Sequence, residues 1–123
     1  MDHLPLKSYR DLRVWQEAMT LAELCYRLSR EFPKDELYGM TSQIRRAAAS
    51  VPANIAEAYG RGSRGEYLQF LRVAQGSLKE AETHLLLSQR VTLAPSEKFE
   101  PVLAHCETVG KMLLALIRSL QKK

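Results

Sequence analysis

The most constraining feature of this sequence is the spacing of its apolar residues, which recur at steps of three and four in four separate stretches. Such spacing places apolar side chains on one face of an α-helix. The four series predict helices over about 11–31, 37–60, 65–90 and 97–121. The two-residue alternation of apolar and polar side chains that marks a half-buried strand is not sustained anywhere in the sequence. We therefore expect an all-α fold.

Residues that interrupt helical backbone separate the four series. Phe32-Pro33 ends the first series, since the residue before a proline is pushed out of the α region. The glycine-rich run 60–65 separates the second and third series, and the short segment 91–95 separates the third and fourth. Ser96 is the expected N-cap of the last helix, with Pro101 delaying its regular start.

Short connections of this kind predict an antiparallel up-down-up-down four-helix bundle. A chain of 123 residues buries about two thirds of its surface on folding, which is enough for one core, so residues 1–123 are expected to form a single domain. Pro52 lies inside the second series and lacks the N–H that would bond to the carbonyl of Ala48. Because the apolar phase is unchanged across Pro52, we expect one long helix with a kink at this proline.

Signatures of catalysis and of metal or cofactor binding are weak. The letters G-x-G-x-x-G occur at 60–65, but that motif binds dinucleotides only after a strand, and no strand is expected. His105 and Cys106 are adjacent and diverge by ~100° on a helix, so they do not suit one metal ion. We expect a non-enzymatic protein with no catalytic residue, metal site, cofactor or small-molecule substrate.

The sequence also constrains location. No run approaches the ~18 apolar residues of a membrane span, and the N-terminus lacks the basic and apolar regions of a signal peptide. Cys25 and Cys106 are then expected to be reduced thiols, packed in the core as small apolar groups. We expect a cytoplasmic protein without membrane association.

A second, polar periodicity follows the second and third series. It lies at the flank of the apolar face and comprises Gln43, Arg46, Ser50, Asn54, Glu57, Gly76, Ser77 and Glu80. One interpretation is a solvated face whose ion pairs contribute ~0–1 kcal/mol each. The other, which we favour, is a partly buried network that sets the register of the hairpin or lines a subunit interface.

Pairing arithmetic gives this network a specific form. In a hairpin that turns within 60–65, the numbers of facing residues sum to about 126. Arg46 then faces Glu80, and Glu57 lies within one turn of Arg72, so two ion pairs are expected across the hairpin. Ser50 is expected to face Gly76, and the small residues 47–50 are expected to meet Gly76 and Ser77, which would let the two helices approach closely.

Several segments together resemble one family. They are Tyr9–Ala18, Phe32–Glu36, Gly39–Ala47, Ser50–Glu57, Phe70-Leu71 with Ala74, and Gly76–Glu80. In this order and over nearly the whole chain, they are similar to the bacterial 23S rRNA intervening-sequence proteins. The family usually has glycine where this chain has Ala58, which leaves the end of the second helix less closely matched.

The resemblance implies a left-handed four-helix bundle that assembles as a homo-oligomer, expected to be a pentamer. It also implies genes within insertions in large-subunit ribosomal RNA genes, or free-standing copies. The family is related to accessory proteins of diversity-generating retroelements, which bind nucleic acid and a reverse transcriptase. The family's polar positions fall on the residues of the polar periodicity above.

The net charge of +4 is compatible with a polyanionic partner. Our first hypothesis is that RNA or single-stranded DNA is bound through phosphate contacts from Arg45, Arg61, Arg64 and Arg72. The alternative is a protein–protein scaffold or adaptor without affinity for nucleic acid. An enzyme with a carboxylate site inside the bundle is disfavoured, because Glu-x-x-His spacing is lacking.

Overall fold

The computed structural model describes residues 6–122, and in this range the chain is helical without strands. Four α-helices, α1 (Arg13–Ser29), α2 (Ser42–Tyr59), α3 (Arg64–Arg90) and α4 (Glu100–Gln121), follow one another along the chain. Each helix packs against the next, α4 also packs against α1, and α2 and α3 share the most extensive contact. The predicted four-helix bundle is therefore confirmed.

The helix starts differ from the predicted ones, for local reasons. Asp11 lies in a short 3-10 turn (Tyr9–Asp11), where its carboxylate accepts hydrogen bonds from the backbone N–H groups of Lys7 and Ser8. Leu12 is extended, so α1 begins at Arg13 rather than near residue 11. The last helix behaves similarly, since Ser96 opens a 3-10 turn and regular helix begins only at Glu100.

The segment before α2 is a π-helical turn, Leu37–Thr41, and not the start of a regular α-helix. Gly39 has non-helical backbone angles (φ −109°, ψ −114°), and the carboxylate of Glu36 accepts a hydrogen bond of 3.0 Å from the N–H of Met40. A Cβ atom at position 39 would lie 3.0 Å from Oε1 of Glu36. Glycine therefore lets the capping carboxylate approach the turn.

Pro52 lies inside α2, which continues as one helix from Ser42 to Tyr59. The expected single helix is thus present, whereas the kink at Pro52 remains a prediction. In the turn that precedes α2, the backbone angles of Gly39 are not helical.

The core consists of the apolar faces of all four helices, closed at one end by Phe32 and Phe99, whose rings stack with centroids 6.1 Å apart. Cys25 of α1 and Cys106 of α4 are buried in this core as free thiols. Burial raises the pKa of each thiol from 9.0 to about 12. Both cysteines are therefore protonated and unreactive at neutral pH.

Candidate functional site

The contact between α2 and α3 contains a small polar network. The hydroxyl oxygens of Ser50 and Ser77 lie 2.8 Å apart, and the amide of Asn54 donates to both the carbonyl and the hydroxyl oxygen of Ser50, at 2.8 and 2.9 Å. These groups are partly buried. The hairpin thus pairs Ser50 with Ser77, one residue away from the expected pairing with Gly76.

The charged members of the polar periodicity have other partners than the expected ones. The carboxylate of Glu57 pairs with Arg61 at 3.0 Å. The carboxylate of Glu80 lies 3.5 Å from Nε2 of His84, a buried nitrogen that forms no hydrogen bond among the described residues. Both pairs join residues four apart on or just beyond one helix, where side chains are neighbours without crossing to another helix. Glu57 and Glu80 thus have neighbours other than Arg72 and Arg46, the partners that we expected across the hairpin.

Gly76 is also placed differently from our expectation. It is exposed, and a Cβ atom at this position would meet nothing within 4 Å. The close approach of α2 and α3 therefore does not depend on Gly76, and Ser77 takes the position facing Ser50. Gln43 is likewise exposed. Whether this face is a subunit interface remains a prediction.

The four arginines that we expected to contact phosphates do not form one site. Arg45 lies at the start of α2, whereas Arg61 follows its end, which separates them by roughly 24 Å at 1.5 Å per helical residue. Arg61 is held between Glu57 and the ring of Phe70, 4.5 Å from its guanidinium carbon. Arg64 begins α3 and Arg72 lies about two turns further along, both exposed.

Arg45 instead belongs to a basic surface where the C-terminal end of α1 meets the start of α2. Two adjoining grooves lie here, of about 560 and 340 Å³. Both are lined by Leu37, Thr41 and Arg45. We call this pair of grooves the basic cleft; its other lining residues are Tyr26, Tyr38, Ser42, Arg46 and Ala49 in the larger groove and Ser29, Arg30, Phe32, Pro33 and Lys34 in the smaller.

The charge of the basic cleft is unbalanced. Its lining includes four cationic side chains, Arg30, Lys34, Arg45 and Arg46, and no carboxylate from the described part of the chain. Three carboxylates adjoin these residues in the sequence: Glu31 pairs with Lys98 at 3.1 Å, Glu36 accepts a hydrogen bond from the N–H of Met40, and Asp35 is exposed beside Lys34. None of the three lines the cleft. The cleft therefore presents a surplus of positive charge toward solvent.

Two of these cations differ in how firmly they are held. The guanidinium of Arg45 donates to the hydroxyl of Ser29 at 2.9 Å and lies over the ring of Tyr26, 4.9 Å from its centroid. Arg46 is exposed, and among residues 6–122 its side chain has no ion-pair partner. Arg45 is thus pre-positioned, whereas Arg46 is free to meet a ligand.

The sequence-based prediction missed Tyr26, Tyr38, Arg30 and Lys34. They come from the end of one helix, a 3-10 turn and a π-helical turn, so no shared periodicity connects them. The available signal was proximity: a chain that reverses between α1 and α2 brings the residues flanking the reversal together at one end of the bundle.

Two other grooves among the described residues have a different character. The groove between α1 and α2, near Trp15, is lined by apolar side chains and Tyr9, without charged residues. The groove between α3 and α4 carries two lysines and two glutamates, Lys79, Lys111, Glu82 and Glu107, so its charge is balanced. Positive surplus thus distinguishes the basic cleft from these two grooves.

Two further observations concern the described residues as a whole. No group of three or more His, Cys, Asp or Glu side chains in the range 6–122 is placed to hold a metal ion. None of the helices in that range combines the length and the apolar run needed to cross a membrane.

Comparison with known proteins identifies the family. A family model described as 23S rRNA-intervening sequence protein matches residues 10–115. The chain belongs to this family. The chain also resembles a solved structure from Bacteroides thetaiotaomicron, described as a protein with unknown function from the S23 ribosomal protein family. The two share 26% sequence identity with a TM-score of 0.79, over 85% of this chain and 97% of the other. A comparison with curated proteins gave no match.

Proposed function

We propose that this protein is a non-enzymatic, cytoplasmic nucleic-acid-binding bundle that contacts the phosphate backbone, of RNA in the first place, through the basic cleft. The observation that carries the proposal is the lining of the cleft, which has four cationic side chains and no carboxylate. Guanidinium groups suit phosphate because their planar donors can bind two oxygens of one group.

The cleft differs from an ordinary basic surface in having one arginine already oriented. Arg45 is held by Ser29 and Tyr26, so less side-chain entropy is lost when it binds a phosphate. Arg46 adjoins it on the same groove and supplies a second, unpaired charge. We expect these two residues to make the strongest contacts, with Arg30 and Lys34 adding attraction that salt screens.

We propose further that the protein works as a homo-oligomer, a pentamer being the number that the family resemblance implies. The apolar groove near Trp15 supports self-association, since Met19 on its lining is 45% exposed and Ala49, Ala53 and Ala56 present small side chains there. Covering such a groove with a second copy would remove apolar surface from water.

A direct test is fluorescence anisotropy with a labelled single-stranded RNA at low salt, comparing Arg46→Gln with Arg72→Gln. Both arginines are exposed, but only Arg46 lines the cleft. We expect Arg46→Gln to weaken binding about tenfold, since a hydrogen bond to a charged group contributes about 1.5 kcal/mol or more. Arg72→Gln should leave the affinity nearly unchanged.

The possible results separate the hypotheses. Equal losses in the two variants would contradict the assignment to the basic cleft and favour a diffuse basic surface. No binding of RNA or single-stranded DNA at low salt would overturn the proposal and favour the scaffold alternative.

A further inference from the structure

Tyr38 is the most exposed large hydrophobic or aromatic side chain of the described residues, with 93% of its surface accessible. Among residues 6–122 it has no aromatic or cation–π partner, in contrast to Tyr26, whose ring lies under Arg45. The ring of Tyr38 shares a groove lining with Arg45 and Arg46, and covering its apolar surface with a ligand would remove that surface from water.

The position of Tyr38 is fixed by the turn that carries it. The π-helical turn is capped by Glu36, and Gly39 gives that carboxylate room to reach the N–H of Met40. The backbone that presents Tyr38 is therefore tied down on both sides of the residue. The backbone under the ring therefore needs no further ordering when a ligand binds, which lowers part of the entropic cost of binding.

The geometry points to a site for an unpaired nucleotide, with its base against the ring of Tyr38 and its phosphate at Arg45 and Arg46; this assignment rests on the proposed function. All three residues line the same groove of about 560 Å³, which lies within the roughly 300–1,000 Å³ of ligand clefts. Positively charged grooves with stacking aromatic residues are the usual way in which proteins bind single strands.

A base that stacks on Tyr38 would distinguish single-stranded from double-stranded nucleic acid, which phosphate contacts alone do not do. In a duplex each base is stacked and paired, so its face is not available to Tyr38. Single strands offer free base faces in any sequence. The protein should therefore prefer single-stranded to double-stranded nucleic acid while showing little sequence preference, and the preference should depend on the ring of Tyr38.

The test compares two labelled probes of equal length, a ten-nucleotide oligouridine and the same backbone without bases, against the full chain and its variants. We expect the wild type to bind the oligouridine more tightly than the abasic probe by about fivefold or more, the lower range of base–aromatic stacking. Tyr38→Leu should abolish this difference, and Tyr38→Phe should retain it. Because Tyr38 is exposed, both variants are expected to fold, which thermal unfolding monitored by circular dichroism checks.

The outcomes separate this inference from the proposed function. Equal binding of the two probes by the wild type, or a Tyr38→Leu variant that still distinguishes them, would overturn the nucleotide site. If Arg46→Gln nevertheless weakens both probes, phosphate binding by the cleft stands. If neither probe binds at low salt, the proposed function itself fails.

Discussion

The hydroxyl pair of Ser50 and Ser77 is the interaction between α2 and α3 whose contribution can be measured most cleanly. Replacing Ser50 with alanine removes the hydrogen bond to Ser77 and the one accepted from the side chain of Asn54. A hydrogen bond contributes about 0.5–1.5 kcal/mol net, so we expect a loss of about 1–2 kcal/mol. For a chain of 123 residues, 1 kcal/mol corresponds to about 4 °C in Tm, which gives a decrease of about 4–8 °C.

A double-mutant cycle isolates the pair. Ser77→Ala alone leaves the hydroxyl of Ser50 without its partner on α3, whereas the double variant removes both hydroxyls. The loss of unfolding free energy in the double variant should therefore be about 0.5–1 kcal/mol smaller than the sum of the losses in the two single variants. Urea unfolding of the four proteins measures this coupling. Ser119→Ala is the matched control, because its hydroxyl donates only to the carbonyl of Leu116 in its own helix. Strictly additive single costs would refute a direct contribution from the hydroxyl pair.

Three further changes test other parts of the structure. Gly76→Ala should raise the unfolding free energy of the isolated bundle by up to about 1 kcal/mol, since a Cβ atom has room at this position and alanine is the better helix former. A decrease in the particle mass measured by light scattering would instead place Gly76 in a contact between subunits. Gly39→Ala should change Tm by no more than a few degrees, because the atom nearest the added Cβ, 3.0 Å away, is Oε1 at the flexible end of Glu36; a larger decrease would show that this carboxylate cannot shift. The pKa of the Cys25 and Cys106 thiols is about 12 in the folded protein, against 9.0 for a thiol that is not buried, so the unfolded chain loses their protons first. Stability should therefore fall between pH 9 and 12 by up to ~1.4 kcal/mol per pH unit for each thiol. Cys106→Ala should make that fall shallower in urea titrations, and an unchanged slope would contradict the burial of the thiol.

The bundle itself was predictable because each helix buries a face whose residues recur at helical spacing. Val51, Ile55 and Ala58 remain in phase across Pro52, and all of them are buried. The turn before α2 was not predictable in the same way. Its form depends on the carboxylate of Glu36 reaching the backbone of Met40, which is a side-chain contact that apolar spacing does not encode.

The candidate site was predictable only in part. Pairing arithmetic gives the level at which two helices meet, and it placed Ser50 within one residue of its actual partner. It does not give the side of the helix to which a long side chain turns. Arg46 was therefore assigned to Glu80 across the hairpin, whereas it lines a groove formed with the connection from α1.

The central claim, that the basic cleft binds a nucleic-acid backbone, is tested most directly by the salt dependence of affinity for a single-stranded RNA. For single strands, the logarithm of the binding constant falls against that of the salt concentration with a slope of about −0.7 per neutralised phosphate. The four cations of the cleft then predict a slope of about −3 per protomer, and Arg46→Gln should make it shallower by about 0.7. An affinity that does not change between roughly 50 and 200 mM salt, or a slope that Arg46→Gln leaves unchanged, would contradict the claim.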